Sequence, residues 1–137
     1  MTPSAGPPSP SSMQKLNEVA ERCNVIEECY EFMLAYAGQG IVVEEGGARD
    51  GQIRDFLNRA AKALSGIAVA YASAMPEQGQ SFLSVLDRDA KDSLAAIELV
   101  LAQPSISSQL VDNLNASIHL RALLTDLFLI DEILKAS

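Results

Sequence analysis

Residues 16–37 read LNEVAERCNVIEECYEFMLAYA, and apolar side chains recur in this stretch at alternating steps of three and four residues. The same spacing returns in residues 53–74. The two series are Leu16, Val19, Cys23, Ile26, Tyr30, Met33 and Ala37, and then Ile53, Leu57, Ala60, Leu64, Ile67, Tyr71 and Ala74. Steps of this kind keep one apolar stripe of a helix facing a partner helix. We therefore expect two long helices that pack against each other.

Two further helical stretches follow the paired helices. Glycine or proline interrupts the chain after each of the first three predicted helices, as is common at helix ends. The predicted helices cover about residues 12–37, 50–74, 80–102 and 106–135. The sequence thus predicts an all-α fold, arranged as an antiparallel four-helix bundle.

The composition is uniform after the first dozen residues, which predicts a single helical-bundle domain over residues 12–137. Residues 1–11, MTPSAGPPSPS, contain four prolines and no charged side chain. Such a segment cannot bury a core, so we expect a disordered Pro/Ser-rich tail. Residues 38–51 form the longest predicted connection, and a crossover, a flap or part of an interface all remain open for it.

The formal net charge of −8 argues against a nucleic-acid partner, because phosphate contacts need clustered Lys and Arg, and the ten basic residues here are dispersed. We expect no membrane association either, since no uninterrupted apolar run approaches about 18 residues. The N-terminus lacks the pattern of a secretory signal, and two cysteines fit a reducing compartment. These features predict a cytoplasmic protein.

Three neighbouring carboxylates, Glu27, Glu28 and Glu31, raise the question of a di-iron site inside the bundle. Ferritin-like sites need a Glu-x-x-His motif on each of two helices. This chain has one histidine, His119, and Ala116 stands three residues before it. We therefore predict no metal site and no cofactor.

The candidate ligand or redox residues are Cys23, Cys29 and His119. The two cysteines are six residues apart, which on a helix separates them by about 9 Å along the axis and prevents a disulfide between them. We interpret both as small core residues. A phosphoacceptor role for His119 lacks the expected neighbours, since Leu120 follows it directly and Ala122 stands three residues on.

The last predicted helix is apolar on nearly all sides, with nine large apolar side chains between Leu120 and Leu134. One face of a bundle helix can bury only part of these, so the remainder needs a second partner surface. The predicted interface residues are Leu123, Leu127, Leu129, Ile130, Ile133 and Leu134. The alternative is that residues 41–43 fold back and cover the apolar excess within one chain.

These patterns predict a non-enzymatic protein–protein interaction module: an adaptor, a regulatory subunit or an oligomeric scaffold. We expect a homo-oligomer, with a two-fold dimer as first choice, and a further protein partner remains open. One alternative is an acidic helical chaperone for an amphipathic client helix. Another is a small-ligand or redox sensor that uses the bundle interior with Cys23, Tyr30, Tyr71 and His119. No catalytic motif points to an enzyme.

Overall fold

The computed structural model describes residues 10–38 and 48–136, and within these ranges all regular secondary structure is helical. This confirms the predicted all-α fold. The six α-helices are α1 (Pro10–Gly38), α2 (Ala48–Leu64), α3 (Ile67–Ala72), α4 (Phe82–Leu101), α5 (Ser108–Ala116) and α6 (Ile118–Ala136), with a 3₁₀ turn at Glu77–Gly79. The predicted tail and the predicted covering segment 41–43 lie outside the described residues, apart from the last two tail positions, which belong to α1.

The second predicted helix is not continuous, because Gly66 divides it into α2 and α3. Gly66 has a φ of 72°, in the left-handed region that glycine enters without steric cost. The carbonyl oxygens freed at the end of α2 find a donor on α1: Arg22 Nη1 donates to the carbonyls of Ala63 and Ser65, both at 2.8 Å. A side chain from a neighbouring helix therefore stabilises this break.

The fourth predicted helix is also divided, at Ser117. This residue has an extended backbone, with φ −63° and ψ 142°, and its Oγ accepts a hydrogen bond from the N–H of Leu120 at 3.3 Å. Serine competes for backbone hydrogen bonds and is favoured at helix starts over helix interiors. The break consequently ends α5 and starts α6, so that the chain has two shorter helices where one long helix was predicted.

The helices pack around one core, in which α1 contacts α2, α3 and α5, while α4 contacts α2, α3 and α6. Branched aliphatic side chains dominate this core, together with Tyr36, Tyr71, Met33 and Met75. The largest fully buried side chains are Tyr71, Met33, Ile53, Leu57, Ile67, Leu86, Ile97, Ile106, Leu123, Leu127, Ile130 and Val111.

The buried stripe of α1 differs from the predicted seam at both ends. Leu16 is 43% exposed, whereas Cys29 and Tyr36, which lie beside the seam, are buried. A straight α-helix has 3.6 rather than 3.5 residues per turn, so a heptad stripe drifts by about 20° per heptad. With this drift, Tyr36 near the C-terminal end of α1 reaches Ile106, which precedes α5.

Arg54 on α2 holds the C-terminal end of α4. Its Nη1 donates to the carbonyl of Leu101 at 2.8 Å, and its Nη2 donates to the carbonyl of Gln103 at 2.6 Å. Its Nε donates to Asp50 Oδ2, also at 2.6 Å. The guanidinium group thus supplies donors to helix-end carbonyls that no helical N–H can reach.

The same network fixes the connection between α4 and α5. Asp50 is buried, and its Oδ1 accepts a hydrogen bond from the N–H of Ile106 at 3.3 Å. The carbonyl of Ile106 in turn accepts a hydrogen bond from the hydroxyl of Tyr36 at 2.6 Å. Both backbone groups of one buried residue are therefore satisfied by side chains from α1 and α2, as burial requires.

Candidate functional site

The inner face of α6 belongs to the core. Leu123, Leu127 and Ile130 are between 0% and 1% exposed, and Leu134 is half-buried. Of the six residues predicted as an interface, these first three are already covered within the chain by other helices. The candidate interaction surface is therefore reduced to the opposite side of α6.

The outer face of α6 carries large apolar side chains in solvent. Ile118 is 76% exposed, Phe128 53%, Leu129 51% and Ile133 48%. Two of these, Leu129 and Ile133, were predicted as interface residues, and the structure adds Ile118 and Phe128. Four large exposed apolar residues are more than any other helix of the described chain presents, since α1 has three and α4 has two.

The outer face of α6, which we define by Ile118, Phe128, Leu129 and Ile133, also carries charged side chains. Arg121 and Glu132 lie between Phe128 and the other three apolar residues around the helix, at about 100° per residue. Arg121 and Glu132 are exposed, and neither forms an ion pair within the described residues. Lys135 and Asp131 pair with each other at 3.0 Å. An apolar strip with charged edges is the usual composition of a protein–protein interface.

A second candidate region is a groove of about 170 Å³ between α1, α3 and α6. It brings together Cys23 and Tyr71, two of the predicted ligand or redox residues. The Tyr71 hydroxyl lies near the Cys23 thiol, whose Sγ donates a hydrogen bond to Glu27 Oε1 at 3.5 Å. The groove is lined by Leu16, Val19, Ala20, Cys23, Tyr71, Asp131, Leu134 and Lys135.

The chemistry of this groove does not favour a redox centre. Burial, with a further contribution from the Glu27 carboxylate, raises the pKa of the Cys23 thiol to about 12. Burial likewise raises the pKa of Cys29 to about 12. The nucleophile and the metal ligand is the thiolate, so a thiol that stays protonated at neutral pH is unreactive. Both cysteines are free and buried, as expected of core residues.

The remaining predicted ligand residues lie elsewhere. His119 is exposed near the start of α6, about 18 Å along the helix axis from Asp131 at the groove. Its backbone carbonyl accepts a hydrogen bond from Ser93 Oγ at 2.9 Å, which joins α4 to α6. Tyr30 is half-buried and lies two helical turns beyond Cys23. The structure does not assemble these residues into one site.

A pair of carboxyl groups between α4 and α6 was not predicted. Asp126 is 5% exposed, its Oδ2 accepts no hydrogen bond from a described donor, and the carboxyl group of Asp89 lies within hydrogen-bonding reach. Two carboxyl groups can form that bond only when one carries a proton. Burial, followed by the contact with Asp89, raises the pKa of Asp126 to about 7. The pair therefore holds a proton close to neutral pH.

The sequence contains a signal for this buried acid. Asp126 is the one charged residue between Arg121 and Asp131, and it stands on the helical face of Leu123 and Ile130. A charge among core positions indicates either a buried partner or a buried proton. Asp89, however, lies 37 positions earlier, and nothing in the sequence connects the two residues.

Metal-binding groups, membrane-spanning helices and similarity to known proteins give no indication of the function. No three His, Cys, Asp or Glu side chains of the described residues are grouped so that they could hold a metal ion. No helix in residues 10–38 and 48–136 has the length and apolar character needed to cross a membrane. Comparison of the chain with protein-family models, curated proteins and solved structures finds no match. The function must be inferred from the surfaces of the chain itself.

Proposed function

We propose that this protein is a non-enzymatic interaction module that self-associates through the outer face of α6. The observation that carries the proposal is the exposure of Ile118, Phe128, Leu129 and Ile133 along one helix. Soluble proteins seldom leave several large apolar side chains exposed on one side of a helix, and a second copy of the same surface is the simplest cover for them. The groove between α1, α3 and α6 gives no comparable support for a redox function, because the Cys23 thiol in it stays protonated at neutral pH.

The helix contacts support the finer bundle arrangement on which this proposal relies. If α2 with α3 forms one rod and α5 with α6 forms another, then each of the four rods contacts two neighbours. The connection between α4 and α5, residues 102–107, is short enough to favour an antiparallel order of these two rods. In this arrangement the fourth rod has its core side closed by its neighbours, and the outer face of α6 points away from the bundle.

The size of the surface sets the expected strength of the dimer. With 19 residues, α6 is about 28 Å long and about 10 Å wide. A contact along one such helix lies at the small end of specific interfaces, which usually bury roughly 800 Å² on each partner. We therefore expect a reversible dimer with a dissociation constant in the micromolar range.

Sedimentation velocity of the wild-type chain over about 1 to 100 µM tests the proposal, since this range brackets micromolar affinity. We expect a concentration-dependent dimer. Leu129→Glu should sediment as a folded monomer, because a carboxylate would be forced into the apolar contact.

The matched control is Leu34→Glu. Leu34 is 49% exposed on α1, nearly the same as Leu129, so the substitution changes the same surface property at a different place. This control should dimerise like the wild type. A wild-type chain that remains monomeric over the whole range, or a Leu129→Glu chain that dimerises normally, would refute the proposal.

A further inference from the structure

The stripe on α6 is symmetric about its own middle. Ile118 and Ile133 are equally far from a point between residues 125 and 126, and so are Ala122 and Leu129. The steps of four, seven and four residues keep these side chains on one side of the helix. A stripe with this symmetry can pair with a reversed copy of itself so that each apolar side chain meets another.

The charged residues beside this stripe are not symmetric about its middle, since the two ends of the stripe carry opposite charges. Arg121 lies toward the start of α6 and Glu132 toward its end, and both are exposed. Eleven residues separate them, which at about 100° per residue places them within about 20° of each other around the helix. They therefore stand on the same edge of the stripe, about 60 to 80° from Leu129.

We infer that two copies of this chain pair through α6 in antiparallel orientation, with Arg121 of each copy beside Glu132 of the other. The inference rests on the proposed self-association and specifies its geometry. An antiparallel two-fold pair brings the same edge of each helix together with its ends reversed. The basic end of one edge then faces the acidic end of the same edge on the second copy.

The axial positions agree with this pairing. When Ile118 of one copy is level with Ile133 of the other, Arg121 and Glu132 are offset by about 3 Å along the axis. Two long side chains span this offset easily. A parallel pair would instead bring opposite edges together at equal height, which leaves both charged groups without an oppositely charged neighbour on the other copy.

Charge reversal tests the ion pair. Arg121→Glu or Glu132→Arg should each raise the dimer dissociation constant about fivefold or more, because the two-fold axis makes two like-charge contacts from one substitution. The double variant restores both pairs with reversed sign, and it should dimerise within about twofold of the wild type. Recovery in the double variant separates a specific pair from a general effect of net charge.

Disulfide trapping tests the orientation independently. In the antiparallel pair, position 125 of one copy lies beside position 125 of the other. Thr125→Cys should therefore form a cross-linked dimer on mild oxidation. Position 118 of one copy lies about 22 Å from position 118 of the other, which is too far for a disulfide, but it lies beside position 133 of the other copy. Ile118→Cys alone should stay uncross-linked and should form a mixed dimer with Ile133→Cys. The oxidised wild type is the control, because its two cysteines are buried.

The outcomes distinguish the two proposals. A wild-type chain that is monomeric in solution would refute the proposed self-association. A chain that dimerises but cross-links through Ile118→Cys alone pairs in parallel, which overturns the antiparallel inference and leaves the dimer standing. A dimer in which the double charge reversal fails to recover affinity overturns the proposed pairing of Arg121 with Glu132.

Discussion

Two aspartates of this protein are almost equally buried and have opposite surroundings. Asp50 is 4% exposed and accepts hydrogen bonds from the Arg54 guanidinium and from the N–H of Ile106. Asp126 is 5% exposed and faces the carboxyl group of Asp89. The first acid is surrounded by donors, and the second shares its site with another acid.

The difference shows two ways in which a helical core accommodates a carboxyl group. Burying a charge costs several kcal/mol unless partners replace the lost water. At Asp50 the partners are a cation and a backbone amide, so the group contributes to structure. At Asp126 the compensation is a proton, so the α4–α6 contact depends on pH. Equal burial therefore has different consequences in the two regions.

The largest effect should come from removing the acid that has donors. Asp50→Ala leaves the Arg54 guanidinium and the Ile106 amide without their acceptor, and we expect a loss of about 3 kcal/mol in the free energy of unfolding. Urea denaturation followed by circular dichroism measures it. The control is Asp55→Ala on the same helix, whose side chain is 69% exposed and whose replacement should cost less than about 0.5 kcal/mol. Equal losses at both positions would contradict the structural role of Asp50.

The next effect belongs to Asp126 and depends on pH. A folded-state pKa raised from 3.8 to about 7 means that the folded chain keeps a proton that the unfolded chain releases. This stabilisation is complete below about pH 4, decreases as the pH rises and is lost above about pH 7. Asp126→Asn keeps the shape and cannot lose a proton.

Urea denaturation of both chains between about pH 5 and pH 8 measures the effect of Asp126. The variant should gain on the order of 2 kcal/mol relative to the wild type over this range. Asp92→Asn, at an exposed position of α4, is the control and should show no such gain. A constant difference between Asp126→Asn and the wild type at every pH would refute the shared proton.

A smaller effect tests the hydrogen bond that joins α1 to the network of Asp50. Tyr36→Phe removes the hydroxyl group that donates to the Ile106 carbonyl, and we expect a loss of about 1 kcal/mol. Tyr30→Phe on the same helix is the control, since Tyr30 is only half-buried, and its replacement should have little effect. Thermal unfolding of both variants distinguishes them, and similar melting temperatures would argue against the bond.

The smallest effect concerns an acid–arginine pair in solvent. Glu18 and Arg22 have the same spacing as Asp50 and Arg54, with an N–O distance of 3.1 Å, but the Glu18 side chain is 54% exposed. Glu18→Gln should cost less than about 0.5 kcal/mol, and added salt should remove the difference. A cost similar to that of Asp50→Ala would mean that spacing rather than burial decides the strength of such pairs.

Much of the fold was predictable because apolar periodicity reports directly on which helix face is buried. The pattern identified the all-α class and placed α1 and α4 within a few residues of their observed ends. It missed the breaks at Gly66 and Ser117, where apolar spacing continues across the interruption. At Gly66 the freed carbonyls are satisfied by Arg22, which is distant in sequence. At Ser117 the side chain itself accepts a local hydrogen bond from Leu120, and apolar spacing does not report such a cap.

The candidate sites were predictable to different degrees. The excess of apolar residues on α6 predicted a second contact surface, and the exposure of Leu129 and Ile133 lies on the expected side. The structure added Ile118, which has the same helical spacing as Leu129 and Ile133, and Phe128, which lies apart from them around the helix. Neither the Asp50 network nor the Asp89–Asp126 pair could be found in this way, because each joins residues that only the folded chain brings together.

The hydrogen bond between Tyr36 and Ile106 has a consequence for the order of folding. It joins residues 70 positions apart, so it closes a long loop, and the entropy of that closure is lost before the contact is gained. We expect the contact between α1 and α5 to form after the rate-limiting step. Tyr36→Phe should then speed unfolding and leave the refolding rate unchanged, as the two arms of a chevron plot would show. A slower refolding arm would instead place this closure in the folding nucleus.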